Sequence, residues 1–438
     1  MNALCSGRAT QEPRSPILVS DPAAPDSEAP PSVASPSGLR EAFETFRLPH
    51  YGGLWGSNLV QFVCFHVLFM AMQWLVTSLT DLRAGVTFLS MIQGASIAVA
   101  SPFAGVVVDR YAKRNLIVLG RLGLVGVATT TALLVHAGVL QYWGLVVIGV
   151  VGGTLASVLG PATQTFVVDV VGRNRTQHAV TLNSIGSSFG TVGGAALAGV
   201  LIGAVGVVST YLIAAVGVVL SAFVVLRIPI RGKAERSERA SLGRDLREGF
   251  AYVRERPALM LALLACAMAI FNGAIGPMRV IFARYVFEAG PEGFGAMSAA
   301  HGIGTVAAAV FLTLRPPAKN FGLLISGTMF LYAVGILLFS FAFSFEYILV
   351  VELFLGVIGQ AWNICAMVGF QLVVPHEMRG RVLSMVLTLA QLGFVGAGLV
   401  GLLADAVGDR LAVGIFGAIP TTLLALQLLF GWRVLKQM

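Results

Sequence analysis

Charge is scarce in this chain. Only 11% of its 438 residues are Asp, Glu, Lys or Arg, against about a quarter in an ordinary soluble domain. Hydrophobic residues make up 56%, and the mean hydropathy is +0.84. A soluble fold is excluded, and an all-α integral membrane protein is indicated. Cysteine is also sparse. Cys5, Cys64, Cys266 and Cys365 lie far apart, three of them in apolar runs, so neither a disulfide framework nor a metal spacing follows. The six histidines are dispersed. His-Glu-x-x-His, Gly-x-Ser-x-Gly and Gly-x-x-x-x-Gly-Lys-Ser/Thr do not occur, which argues against a hydrolase and against a built-in ATPase. No cofactor or metal is called for, and no loop is long enough for a receptor domain. The expectation is a protein that is not an enzyme.

What the chain has instead is repeated apolar runs long enough to cross about 30 Å of hydrocarbon. They predict twelve spans at 53–79, 84–108, 115–138, 141–168, 178–204, 206–228, 259–287, 293–314, 320–343, 345–373, 381–406 and 411–433. The organisation read from them is a disordered cytoplasmic tail at 1–42, six-helix bundles at 43–228 and 259–438, and a cytoplasmic linker at 229–258. No apolar segment precedes Leu54, so the first span is expected to act as the insertion signal. The formal charge of +8 invites a nucleic-acid partner, but the bases sit in alternate short loops and not on one stripe. Of the 29 Lys and Arg, 25 fall on the side of the termini. That bias puts both termini in the cytoplasm, with the bilayer as the surrounding partner.

Within the linker, Leu242, Leu246, Phe250 and Val253 recur at helical spacing with bases between them, the pattern of an interfacial amphipathic helix. An internal repeat links the two halves. Residues 194–206 align without gaps on 396–408, with eight of thirteen positions identical at an offset of 202 residues. Copies six helices apart predict parallel halves related by a pseudo-two-fold axis along the membrane normal.

The most telling stretch is Pro102 to Arg114, where an apolar run passes through Gly105 into a tight turn carrying Asp109, Arg110, Lys113 and Arg114. Gly-x-x-x-Asp-Arg-x-x-Lys-Arg resembles the loop between helices 2 and 3 of the major facilitator superfamily of secondary transporters. Phe46-Arg47 before Trp55, Trp74-Leu75-Val76 before Thr80, Asp245-Leu246-Arg247-Glu248-Gly249 before Pro257, and Pro375 to Val382 are similar to words of its twelve-helix efflux branch, which holds enterobactin-exporter-like and macrolide-efflux-like proteins. The resemblance covers roughly residues 43–433 and implies a gating latch. Asp109, with Gly105 and Arg110, would hold the start of helix 11 near Arg379 and Arg381 while the cavity faces outward. Two departures stand out. Ala195 occupies the proline of the antiporter signature, whose small residues Gly190, Gly194 and Gly199 persist for helix packing beside Gly396 and Gly401. The second-half counterpart of the Asp109 loop, Arg315 to Lys319, carries no acid.

In the resembled fold, helices 1, 4, 7 and 10 line the central cavity. The candidate cavity residues there are Asn58, Gln61, Phe65 and Gln73 on helix 1, Gln164 on helix 4, Asn272 and Arg279 on helix 7, and Gln360 and Asn363 on helix 10. Glu352 begins the helix 10 stripe. Intramembrane charges are costly and mark function. Arg279 and Glu352 lie at similar depths, roughly 10–12 Å from one side at 1.5 Å per residue, and are expected to face each other. Glu352 is the candidate proton-titrating carboxylate, Asp169 a second candidate or a gate contact, and Arg279 a contact for an anionic group. His66 and His301 read as hydrogen-bonded core histidines. A static Arg279–Glu352 pair joining helix ends is the plainer alternative. The expectation is a proton-coupled exporter of an amphiphilic small molecule, a siderophore or a drug, acting as a monomer in a bacterial inner membrane. An importer or a lipid-metabolite transporter of the same fold is the alternative.

Overall fold

Apolar helices dominate the computed structural model, which describes residues 44–172, 175–232, 242–313 and 320–438. The expected tail at 1–42 and the loop Arg315 to Lys319 lie outside the described residues. The first four spans are α1 (Tyr51–Val76), α2 (Arg83–Arg110), α3 (Lys113–His136) and α4 (Tyr142–Val171). A 51-residue helical run, Thr176–Leu226, breaks at Gly206, whose φ of 80° and ψ of 168° only glycine adopts readily. It therefore supplies two spans, α5 (176–205) and α6 (207–226).

The second half repeats the plan. It comprises α7 (Pro257–Val286), α8 (Gly290–Thr313), α9 (Phe321–Ser340), α10 (Phe345–Val373), α11 (His376–Gln391 and Gly393–Val407) and α12 (Asp409–Leu435). Among the described residues, eleven apolar helices, one of double length, thus give twelve spans. The repeat has a structural meaning. Gly206 and Gly408, its two last residues, both have positive φ and end α5 and α11 in the same way. Gly199 packs on the backbone of α8, where an added Cβ would lie 2.9 Å from Gly295 Cα. Gly401 packs against Thr87 of α2 with no room for a side chain. Corresponding glycines in the two halves therefore admit corresponding close crossings.

α7 is not a smooth rod. It is α-helical over Pro257–Ala267, Ala269–Asn272 and Ile275–Ile281, then ends in a π turn at Phe282–Val286. Interrupted helices at membrane depth are tolerated where neighbours or a cavity satisfy the backbone. Here the neighbour is α11, whose backbone presses on Gly273 while its own Gly396 presses on Ile270.

The linker helix Leu242–Arg254 packs against α11. Val253 is fully buried, and Glu248 bonds Arg381 of α11 at 2.6 Å. Phe250, expected on the buried face, is half exposed. The side chains of Leu242 and Leu246 lie outside the described residues.

At the end of the molecule opposite Phe46 and Met438, hereafter the far end, the two halves are tied together. Asp405 of α11 accepts from the backbone N–H groups of Arg83 and Ala84, both at 2.8 Å, and so caps α2. Arg83 Nε bonds Asp409 at 3.2 Å, its guanidinium lies over Tyr285, and Tyr285 donates to the Thr77 carbonyl. These contacts seal the interior at the far end.

The Gly199–Gly295 crossing is part of that seal. Gly295→Leu would push α8 off α5. Overpacking of this kind costs about 1–3 kcal/mol, enough to move the sealed equilibrium by about 5- to 150-fold. A cysteine placed at Ser298 in this variant is expected to react faster with an impermeant maleimide added from the far side. Unchanged reactivity would show that the crossing does not hold the seal.

Candidate functional site

Between the halves lies a cavity of about 540 Å³, within the usual range for small-molecule sites. Its walls come from the middle of α1, α2, α3, α4, α7 and α11, with Tyr332 of α9 and Trp362 of α10. They are mostly apolar: Phe65, Leu68, Phe69, Met72, Ile97 and Phe394 are typical. A few polar groups interrupt them. Gln73 donates to Ser90 Oγ at 2.8 Å and keeps its buried carbonyl oxygen without a partner. Asn272 points Nδ2 at Met329 sulfur, 3.6 Å away.

A second chamber of about 290 Å³ opens beside it between α5 and α8. Ser187, Ser188, Thr191, Ser298 and Thr305 line it with hydroxyls. Both spaces share His66, Phe69, Gln73, Gly276 and Arg279, so Arg279 stands at their junction.

Behind Arg279 sits Glu352. The carboxylate is 0% exposed and accepts from Arg279 Nε at 2.6 Å and from His301 Nδ1 at 3.1 Å. The expected depth match thus brings α7 and α10 together here. His301, read from the sequence as a core histidine, is the third member. It was legible as a titratable residue in a span, but nothing in the sequence pointed it at Glu352.

The remaining site residues divide. Phe65, Gln73, Asn272 and Arg279 line the main cavity. Asn58 and Gln61 do not. Both are buried inside the first half, where Asn58 binds Asn183 and Arg121 and Gln61 accepts from Ser221. Their face of α1 turns toward α3, α5 and α6, away from the centre. Gln164, Gln360 and Asn363 are also absent from the cavity walls. Asn363 shares the helical face of Glu352 but lies nearer the terminal end, and it is exposed. On α10 it is Trp362 that reaches the cavity.

Arg121 corrects a second reading. Counted among the loop bases, it is a fully buried residue of α3. It donates from Nη1 to Ser57 Oγ (2.6 Å) and the Ser221 carbonyl (2.8 Å), and from Nη2 to Asn58 Oδ1 (2.8 Å). The guanidinium lies about 12 Å along the helix from Lys113, since each residue rises 1.5 Å.

Nor is Asp169 near the cavity. It pairs with Lys113 Nζ at 2.9 Å on the terminal side. Lys113 is therefore held within the first half, as is Arg114, which donates to the Ile228 carbonyl at 2.9 Å. Gly105 has open space around it, and Arg110 is exposed. Among the described residues Asp109 makes no ion pair, and Arg381 is engaged by Glu248. Arg379 keeps a buried Nε without a partner. The Asp109 contact to α11 is absent from this far-end-sealed form.

Comparisons with known proteins agree on the fold. Among solved structures, a nucleoside transporter, NupG, superposes with a TM-score of 0.70 at 12% identity, covering 89% of this chain and 100% of its own. A POT family transporter in complex with a thioalcohol-conjugated peptide gives 0.68 at 11% identity, covering 90% and 99%. A bacterial homologue of the human lysosomal transporter Spinster, inward-facing and occupied, gives 0.68 at 11% identity, covering 88% and 96%. By sequence, an uncharacterized MFS-type transporter of Bacillus subtilis (strain 168), YfiS, is 26% identical over 359 residues, 76% of this chain and 81% of that protein. The profile of the family described as "Transmembrane secretion effector" matches residues 40–437. The chain belongs to that family and is a multi-pass transporter of the major facilitator superfamily.

Proposed function

We propose that this protein is a proton-coupled exporter of an amphiphilic small molecule, a siderophore or a lipophilic drug, working as a monomer by alternating access. The observation that carries the reading is Glu352, a buried carboxylate held between His301 and Arg279, behind the point where Arg279 lines an apolar cavity. Such a group is costly to hold in a membrane and is kept where ions or protons move. The cavity suits a solute with a large apolar body and few polar groups. The family description supports secretion. The basic loops at the terminal end support an inner-membrane orientation with both termini cytoplasmic. In that orientation the far-end seal makes this form inward-facing, and the Asp109, Arg379 and Arg381 latch belongs to the opposite state.

A second reading, uptake or transport of a lipid-like metabolite, is favoured by Ala195, where export signatures carry proline. One comparison separates the two. Small molecules are measured in medium and cells of a deletion strain and its complemented parent. Export predicts a compound that leaves the deletion strain's medium and accumulates in its cells. A compound left unconsumed outside only in the deletion would make the protein an importer.

A further inference from the structure

The two spaces that meet at Arg279 differ in chemistry. The larger has an almost wholly apolar wall, and the smaller adds five hydroxyls and two imidazoles to apolar groups such as Phe69, Met70 and Phe294. Neither lining includes an Asp or Glu. Arg279 uses Nε for Glu352, and neither of its Nη groups has a hydrogen-bond partner among the described residues. A guanidinium offers five N–H groups in a planar fork suited to an oxyanion. His66 donates from Nδ1 to the Phe62 carbonyl at 2.8 Å, and His301 from Nδ1 to Glu352. Those acceptors fix the tautomer, so each ring has a basic Nε2 free of these bonds.

We infer that the transported amphiphile carries a small anionic group, a carboxylate, sulfonate or phosphate, which sits in the side chamber on the Nη edge of Arg279 while its apolar body fills the larger cavity, and that this anion binds together with one proton on His301 Nε2. The inference rests on the proton-coupled reading of the same site.

Charge counting gives the linkage. Empty, the cluster holds Arg279 positive, Glu352 negative and His301 neutral, a sum of zero. An anion alone would leave one uncompensated negative charge at membrane depth, which is expensive. A proton from chamber water, added to Nε2, makes an imidazolium and restores neutrality without breaking the bond from Nδ1 to Glu352. Each ligand then strengthens the other by the same factor, since coupling is reciprocal. A cation meets the reverse case, facing Arg279 with no acid to receive it. The other polar groups facing the cluster are Tyr332 of α9 and His66 and Gln73 of α1, with only hydroxyls from α5.

One consequence concerns direction. An anion and a proton bound together cross together. Uptake of such a cargo runs with an inward proton gradient, whereas export would run against it, so this linkage favours the uptake reading over proton-driven export.

The test uses the full chain in phosphatidylcholine nanodiscs and calorimetry against three eight-carbon probes: octane-1-sulfonate, octan-1-ol and octyltrimethylammonium, each corrected with empty discs. Sulfonate is expected to bind at least about tenfold tighter than the alcohol, the size of a charge-assisted contact, and the ammonium weakest. Repeating the titration in buffers of different ionisation enthalpy near neutral pH is expected to show close to one proton taken up per sulfonate. Arg279→Gln erases the preference for sulfonate, and His301→Gln erases the proton uptake. Equal or tighter binding of the alcohol or the ammonium to the unaltered protein overturns the inference, as does binding of none of the three. Proton uptake that is zero, or that survives His301→Gln, overturns the linkage. Transport itself fails only if the deletion strain and its parent handle every compound alike, and export fails if a compound is left unconsumed outside only in the deletion, so the two readings are tested separately from the anion site.

Discussion

Glu352→Gln is expected to abolish transport driven by an imposed pH gradient while leaving exchange of substrate across proteoliposomes measurable. Glutamine fills the same volume, its carbonyl can still accept from Arg279 Nε, and its amide can meet the His301 ring in the other tautomer. The helices α7, α8 and α10 therefore stay docked. What disappears is the negative charge that pairs with Arg279 and would balance an imidazolium at His301. Without it the site carries a net positive charge when His301 is neutral, and protonating His301 adds a second. The gradient-driven rate is expected to fall by about 10²-fold or more, the scale on which a positioned proton-handling group acts. Glu352→Ala is a different experiment. It leaves Arg279 unpaired and removes a buried side chain, at a cost of about 3–5 kcal/mol. It is expected to lower thermal stability and expression, so it reports on the fold more than on coupling. If Glu352→Gln transports under a pH gradient as the unaltered protein does, Glu352 is a static tie between α7, α8 and α10.

The fold was largely legible because length and polarity decide it. Apolar runs had to be spans, and the run from 178 to 228 was too long for one crossing; that the boundary falls at Gly206 and recurs at Gly408 came from the backbone angles. Depth was legible too, since counting along a helix is reliable, and Arg279 with Glu352 came from depth alone. Rotation was not. In water, the polar face of a helix marks solvent. In a bilayer both lipid and protein are apolar, so Asn58 gives no sign of whether it faces a cavity or a neighbouring helix. Its actual partner, Arg121, was masked by arithmetic of a different kind: it lies close enough to Lys113 and Arg114 to be counted with the loop bases. Asp405 and Asp409 were hidden for a third reason. Their task, capping α2 and holding Arg83, links positions more than three hundred residues apart. Nothing local records such a contact.

Arg121→Ala is expected to be the most damaging single substitution in the first half. The guanidinium bridges three spans, reaching Ser57 and Asn58 of α1 and the Ser221 carbonyl of α6 from its place on α3. Asn58 passes the network on to Asn183 of α5. There is no carboxylate in it, so the charge is held by neutral acceptors, and hydrogen bonds to a charged group are worth about 1.5–3 kcal/mol each. Truncation strands these acceptors in a dry bundle and leaves a cavity, for a net loss of about 3–5 kcal/mol after relaxation. Arg121→Lys recovers only part of this, because an ammonium is a compact point charge and cannot span Ser57 and Asn58 as a planar fork does. Thermal unfolding of the purified protein in detergent checks the order: unaltered protein first, then Arg121→Lys, then Arg121→Ala. The control that isolates the cause is apolar replacement of the whole cluster. Removing both sides of a buried polar contact is often nearly neutral, whereas removing one side is not. Combining Arg121→Leu with Ser57→Ala and Asn58→Leu is therefore expected to be more stable than Arg121→Leu alone. If Arg121→Leu by itself unfolds with the unaltered protein, the network does not hold the bundle together, and a guanidinium kept there at such cost is then a second candidate for function.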